Sequence, residues 1–186
     1  ERQLKLDIRY AGLDDLAFID HLQTKNSEDL SFYPRQVFER EINNKKILLA
    51  LVNNQHAGYL YHGKIVAQKP LKIHQACIEY DLRGNWYGAG LVGALEGIGK
   101  IAQSHGISLR CGAELSANQF WKLMGFDCVS ITEGGVRRLR DINTWWKTIT
   151  ADWFPFEARA PSTKEKNPKV YLKAYREKLK RSESPV

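Results

Sequence analysis

Apolar and polar residues alternate at the start of the chain. Leu4, Leu6, Ile8 and Tyr10 are separated by Lys5, Asp7 and Arg9, a period of two that predicts a half-buried strand. Gly12 breaks the pattern. Asp14 and Asp15 then stand where a helix is capped, and Leu16, Ile19 and Leu22 follow at helical spacing. Polar residues 24–29 form a loop, after which Pro34 suits the first turn of a second helix with Val37, Phe38 and Ile42 facing inward. From Lys46 the texture changes to an apolar run over 47–52, the polar Asn53-Asn54-Gln55 and a second apolar run over 57–61, which predicts a hairpin. A loop with Pro70 leads to a strand over 71–80.

Beyond a glycine-rich turn, Leu91, Val92, Leu95, Ile98 and Ala102 recur at helical spacing, with Gly106 as the stop. Gly93, Gly97 and Gly99 each weaken such a helix by up to about 1 kcal/mol relative to Ala. So many small residues predict close packing against a sheet or a cofactor. Residues 107–111 read as a strand. A short helix near Ser116 contains Phe120, Trp121, Leu123 and Met124 and ends at Gly125, and residues 126–131 and 136–146 form a last hairpin around Gly134-Gly135. The order βααβββαβαββ predicts a mixed α/β (α+β) sheet with one helical crossover.

Composition adds a boundary. A chain of 186 residues with 43% hydrophobic content holds one well-buried core plus an appendage. Residues 1–150 are expected to form the domain and 151–186 a partly helical extension, first aromatic (Trp153, Phe154, Phe156) and then basic. The formal net charge is +7, and residues 159–186 hold nine Lys/Arg against three Asp/Glu, which leaves about +1 for the rest. No apolar run reaches the roughly 20 residues that span a bilayer, and no signal segment opens the chain, so a cytoplasmic protein without membrane association is expected. Cys77, Cys111 and Cys128 are odd in number and lie in apolar stretches, as buried thiols in a reducing compartment do. With no CxxC pair and scattered histidines, no metal site is expected.

Two stretches carry chemistry. Over 78–92 an apolar strand runs into Arg83-Gly84-Asn85-Trp86-Tyr87-Gly88-Ala89-Gly90 and opens a helix. Glycines allow a tight turn and close backbone approach, the free N–H groups and positive dipole end of the helix favour an anion, and Arg83 adds a bidentate donor. The same arrangement also occurs for packing alone. The second stretch is Asn118-Gln119-Phe120-Trp121-Lys122-Leu123-Met124-Gly125-Phe126.

At these residues, and in the order of its elements, the chain over 4–146 resembles the GCN5-related N-acetyltransferase (GNAT) family. The first stretch is similar to the family's pyrophosphate loop for acetyl-CoA, and the second to its aromatic and Gly-Phe signature. The resemblance implies about seven strands and four helices, with the strands at 71–80 and 107–111 splayed to admit the pantetheine arm. It assigns Ile78, Tyr80, Arg83, Gly84, Asn85, Trp86, Tyr87, Gly88, Ala89, Gly90, Asn118 and Trp121 to the cofactor, with Ile78 and Tyr80 offering backbone bonds. It also implies acetyl transfer to a primary amine, small or macromolecular, by direct attack, and is compatible with a homodimer. Two positions depart from the family. Trp86 stands where its loop prefers glycine, and Trp121 stands where many members carry the Tyr that protonates the leaving thiolate.

Transfer to an amine needs a base, an oxyanion donor and often an acid. Glu79 is the first candidate base and Asp81 the second, with a structural ion pair and a turn cap as the competing readings. Tyr80 is a candidate acid. Arg138 and Arg140, on one face of the last hairpin, are candidates for binding an acidic acceptor or phosphate, and Arg137 takes the other face. Two other readings keep the fold: a nucleic-acid-modifying enzyme that shares it with the phage Mom-type proteins and uses its basic tail, and a CoA- or partner-binding module without catalysis.

Overall fold

The computed structural model describes residues 5–133 and 140–149. Leu4, Gly134, Gly135, Arg137, Arg138 and the whole extension lie outside them. Within the described residues the chain forms β1 (Leu6–Tyr10), α1 (Leu16–Lys25), α2 (Arg35–Asn43), β2 (Ile47–Val52), β3 (Gln55–His62), β4 (Leu71–Ile78), α3 (Tyr87–Ile101), β5 (Gly106–Gly112), α4 (Ala117–Leu123), β6 (Asp127–Thr132) and β7 (Ile142–Thr148). The seven strands make one sheet in the order β1-β2-β3-β4-β5-β7-β6. All pairs are antiparallel except β4 and β5, which the α3 crossover makes parallel.

Local chemistry sets these elements. Asn53 and Asn54 both adopt positive φ (50° and 66°), the conformation a two-residue turn needs to match the twist of the strands it joins, and β2 and β3 close on them. Helix α1 begins later than the two acids suggest, because residues 13–15 form a 3-10 turn first. Asp15 is consumed there: its carboxylate accepts from the Gly12 N–H at 2.8 Å, from both Nη atoms of Arg9 at 2.7 and 3.1 Å, and from His56 Nε2 at 2.8 Å. Helix α3 ends at Ile101, with Gln103 in the left-handed region at φ 54°, and Gly106 opens β5 instead of closing the helix.

Two apolar layers sandwich half of the sheet. On one face α3 packs Leu91, Val92 and Leu95 against Leu48, Ala50, Leu60, Leu71, Ile73, Ile107 and Leu109, and Trp121, Phe126 and Trp145 extend this layer under α4. On the other face α1 and α2 cover Leu49, Tyr59, Tyr61 and Cys77 with Ile19, Leu22, Phe38 and Ile42. Val37 is half-buried, and Glu41 of the same helix is buried, bonded by Arg40 at 2.7 Å and by Lys46. This second layer stops at β4. Its own polar seam holds the loop between α1 and α2 to the sheet: Tyr59 Oη donates to Gln75 Oε1 at 2.5 Å, Gln75 Nε2 to the Ser31 carbonyl at 2.7 Å, and Gln23 clasps the Tyr33 peptide through its N–H (2.7 Å) and carbonyl (2.9 Å).

The glycines of α3 divide. A methyl group added at Gly99 would meet Leu71 at 3.0 Å, and at Gly90 it would meet Ile8 at 3.1 Å, so these two let the helix close on the sheet. Gly93 and Gly97 face open space, and close packing does not account for them. Of the thiols, Cys77 is buried and Cys111 half-buried, but Cys128 is exposed on the last strand of the sheet.

Candidate functional site

The two parallel strands part company along their length. β4 pairs with β5 only at Leu71, Ile73 and the residue between them, opposite Ile107, Ser108 and Leu109. A bulge follows at once, since His62 of β3 lies opposite Ile73 while the preceding Tyr61 lies opposite Gln75, leaving His74 as the extra residue. The bulge turns Gln75 and Cys77 to the α1/α2 face while Ala76 and Ile78 pack in the α3 layer. Beyond it, the edge of β4 from 74 to 78 faces the edge of β5 from 110 to 112 without a ladder between them. That is an opening able to take an extended ligand bonded to strand backbone.

At its mouth α3 begins. Trp86 occupies the N-cap position with φ 64° and ψ 11°, and no side chain caps the helix. The first-turn N–H groups, at Tyr87, Gly88 and Ala89, have no acceptor within the helix. The left-handed conformation at Trp86 is the one glycine adopts without cost, and an L-residue pays about 1–2 kcal/mol for it. The loop therefore keeps the backbone path that a glycine would give it, and the indole is carried outward, 65% exposed. Gly84 supplies the other positive φ of the loop, 83°. A methyl group on Gly88 would meet the Phe120 ring at 3.1 Å, so α4 abuts this turn. Asn85 bonds the Leu82 carbonyl at 3.2 Å and ties the turn to itself. Tyr87 is buried in the core.

Three of the residues expected at the cofactor are engaged by protein. Arg83 donates from Nε to the Ile78 carbonyl at 3.1 Å and from Nη2 to Asn26 Oδ1 at 2.7 Å, with its guanidinium 5.3 Å from the centre of the Tyr80 ring. In this arrangement it braces the end of β4 against α1 and does not point a fork at the turn. Asn118 Nδ2 lies 2.7–3.1 Å from the carbonyls of Gly112, Ala113 and Leu115, and its Oδ1 accepts from Asn143 at 3.1 Å and Trp145 at 2.9 Å. Its donors and acceptors are spent joining β5, α4 and β7. Trp121 is buried and packs edge-on to Phe120 and Phe126. An indole at this place cannot supply a proton.

Tyr80 does not continue β4. It starts a 3-10 turn, Tyr80–Leu82, and its carbonyl accepts from the Arg83 N–H at 3.2 Å, so it adds no strand-type backbone bond, and its side chain is 71% exposed. Glu79, the cap of that turn, is largely covered and pairs with Lys25 of α1 at 3.3 Å. Asp81 is exposed within the turn. Ile78 closes the strand, with its side chain beside Gly88.

The other mouth of the opening carries a second pair. Arg140 is not in a strand, since β7 begins at Ile142, and its Nη1 donates to Glu114 Oε1 at 2.6 Å. Both lie across Gly112, where a methyl group would stand 3.2 Å from Arg140 Nε and from both Glu114 carboxylate oxygens. Ala113, Glu114, Arg140 and Asp141 line a cavity of about 490 Å³ there. Burial pushes the Cys77 and Cys111 thiols up to about 11, so neither is a nucleophile near neutral pH. Sequence reading missed Gln75, Asn26 and Lys25, whose partners lie far from them in the chain.

Among the described residues there is no group of three or more His, Cys, Asp or Glu able to hold a metal, and no helix is long and apolar enough to cross a membrane.

No family model matches the sequence, and no curated relative does. Solved structures do match in shape. Ard1 from Thermoplasma volcanium superposes with a TM-score of 0.70 at 14% identity, over 78% of this chain and 98% of that one. NAA60 of Arabidopsis thaliana, solved with a bisubstrate analogue, gives 0.70 at 16% identity, over 79% and 99%. The ribosomal-protein-S18-alanine N-acetyltransferase of Escherichia coli gives 0.65 at 14%, over 82% and 100%. Strand order, the opening between β4 and β5 and the uncapped start of α3 agree with these likenesses: the chain has the fold of the GCN5-related N-acetyltransferases.

Proposed function

We propose that the protein is an N-acetyltransferase that takes an acetyl group from acetyl-CoA and passes it to a primary amine by direct attack. The observation that carries this reading is the β4/β5 opening with the uncapped start of α3 at its mouth. A slot with free strand edges suits an amide-bearing pantetheine arm, and unpaired helix N–H groups suit a pyrophosphate. Several of the likenesses point the same way, since NAA60 was also solved with acetyl-CoA. The chemistry supplied by acetyl-CoA is a thioester carbonyl open to attack.

The chain's own part follows from its residues. The backbone of residues 84–90 would hold the phosphates, and the outward indole of Trp86 would cover the nucleotide. Ile78 and the 110–112 edge would bond the arm. As the amine nitrogen bonds to the carbonyl carbon and the C–S bond breaks, the nitrogen sheds a proton. Glu79, at the mouth and beside Lys25, would receive it directly or through water. Trp121 leaves no acid on α4 for the departing thiolate. Tyr80 and Asp81 stay open candidates on the exposed turn for proton exchange with solvent. Arg140, paired with Glu114 over Gly112, would border the acceptor and position it.

Isothermal titration with CoA, followed by acetyl transfer across amines, peptides and polyamines, tests this. Micromolar CoA binding and turnover that falls at least about tenfold in Glu79→Gln, with CoA affinity kept, are expected. No CoA binding would sink the reading. The departures at Trp86 and Trp121 favour one alternative, a CoA-binding module without transfer, and tight CoA binding with no turnover on any acceptor would select it.

A further inference from the structure

The end of α1 grips the turn that precedes α3. Lys25 Nζ lies 3.3 Å from Glu79 Oε2, and Asn26 Oδ1 accepts from Arg83 Nη2 at 2.7 Å. Asn26 is itself firmly placed. It is the C-cap of the helix, its Nδ2 donates to the Leu22 carbonyl at 2.8 Å, and its own carbonyl accepts from the Asp29 and Leu30 N–H groups, both at 3.1 Å. With Nδ2 committed inside α1, Oδ1 is the side-chain atom that faces the turn.

The second acceptor of Arg83 lies in the opening itself. The Glu79 N–H donates to the Ala57 carbonyl at 2.8 Å, on the β3 side of the strand. The Ile78 carbonyl belongs to the same trans peptide and so points the other way, to the edge of β4 that faces β5. Arg83 Nε lies 3.1 Å from that carbonyl oxygen. The guanidinium therefore covers an acceptor that an extended ligand would use, and it does so while tied to α1. Both of its acceptors are neutral oxygens, and a phosphate, being charged and able to bond two donors at once, binds a guanidinium more strongly than they do. Arg83 is exposed and directly precedes Gly84, so its long side chain can be re-aimed at phosphates held by residues 84–90.

We infer that Asn26 is a positioning residue acting through Arg83: together they close the Ile78 carbonyl to ligands and release it to one that brings phosphate. The inference rests on the CoA reading above. A pyrophosphate offers Arg83 a stronger partner, so the guanidinium leaves Ile78 and Asn26 as the N–H of the arm arrives at the carbonyl. A pantetheine arm without phosphates offers nothing in exchange and must displace Arg83 unaided. Asn26 thus lowers affinity for every occupant of the opening, and Arg83 restores it for phosphate-bearing ones alone.

Isothermal titration of the full chain with CoA, and with pantetheine as a competitor of CoA, tests this, with thermal melts as a check of the fold. Asn26→Ala should bind CoA at least about threefold more tightly than the wild type, because a larger fraction of molecules has the carbonyl free. Asn26→Asp keeps the acceptor and adds a charge, so it should bind CoA more weakly. Arg83→Ala should weaken CoA but tighten pantetheine, opposite signs that a general loss of structure does not produce. In the Arg83→Ala background, Asn26→Ala should change neither affinity, since Asn26 acts through the guanidinium. Weaker CoA binding by a folded Asn26→Ala variant would overturn the inference. So would a parallel loss of both ligands in Arg83→Ala, or additive effects in the double variant. If Asn26→Ala does not fold, the signs in Asn26→Asp and Arg83→Ala decide. Any of these results with CoA binding by the wild type intact would leave the acetyl-CoA reading standing, whereas a wild type that binds no CoA would sink both.

Discussion

All six residues of β2 are buried, whereas not one of the six residues of β6 is fully buried. Both are strands of one sheet, and what separates them is the number of faces covered. Among the described residues, the wing from β1 to β4 lies between α3 and the α1/α2 layer, while the wing of β5, β7 and β6 has apolar cover only on the α3/α4 face. The doubly covered wing is a scaffold with little freedom to change. The singly covered wing keeps a face for chemistry, and the opening between β4 and β5 falls at the boundary, where one strand is anchored on both faces and its neighbour on one.

The largest contrast is expected at Gly58. A side chain there would meet the Ile78 Cα at 2.9 Å and the Cys77 carbonyl, atoms of backbone that cannot yield without prising β3 from β4. Gly58→Val should cost about 3 kcal/mol or more, whereas Ser130→Val on the open face should stay within about 0.5 kcal/mol. Urea denaturation of the two variants measures the difference, and equal costs would erase the distinction between the wings.

Gln75 comes next. Gln75→Leu would strand the buried Tyr59 hydroxyl and the Ser31 carbonyl, a loss of about 2 kcal/mol from unsatisfied polar groups. Because the same side chain holds the loop between α1 and α2, protease nicking near residues 26–34 should rise before global unfolding does. The double variant with Tyr59→Phe should cost less than the sum of the two, since it removes both partners of one bond.

Asp15 tests the scaffold by pH. Burial alone would raise its carboxyl, but the bonds from Arg9, His56 and the Gly12 N–H outweigh burial and hold it well below the usual carboxylate range. A depressed folded value means that its contribution is complete above the unfolded value of about 3.9 and is lost as pH falls below it. Asp15→Asn should therefore be less stable at neutral pH and flatter below about pH 4. Chemical denaturation at pH 7, 4 and 2.5 checks the sign.

The same contrast explains what could be read in the sequence. The alternating run at 6–10, the apolar run at 47–52 and the Asn-rich turn between two such runs each carry their own period or turn chemistry, so all three elements stand as expected. The strand ends were harder. Tyr80 was expected to continue β4, but the chain turns there into a 3-10 turn braced by Glu79 and Arg83, which are distant in sequence from their partners Lys25 and Asn26. The β4 bulge at His74 leaves no mark in composition. Asn118 matched a motif by position, yet two of its five partners, Asn143 and Trp145, lie on β7, which only the folded chain brings to it.

The smallest effect concerns α3, whose glycines all looked alike. A methyl group at Gly90 would meet Leu6 at 2.6 Å and Ile8 at 3.1 Å, and one at Gly99 would run into Ile149 and meet Leu71 at 3.0 Å, while at Gly93 and Gly97 it would meet nothing within 4 Å. The first pair serves the doubly covered wing, and the second faces away from it. Gly93→Ala and Gly97→Ala should each stabilise the fold by about 0.5–1 kcal/mol, since alanine lowers the entropy lost on forming the helix and no neighbour has to move. Gly99→Ala should destabilise, because Leu71 belongs to the parallel ladder that anchors the opening and has little room to shift. Thermal melts of the three variants decide this. If Gly93→Ala and Gly97→Ala lowered the melting temperature, the outer side of α3 would have to be covered by something that needs those two positions bare, and the helix would then have two occupied faces like the scaffold wing it packs on.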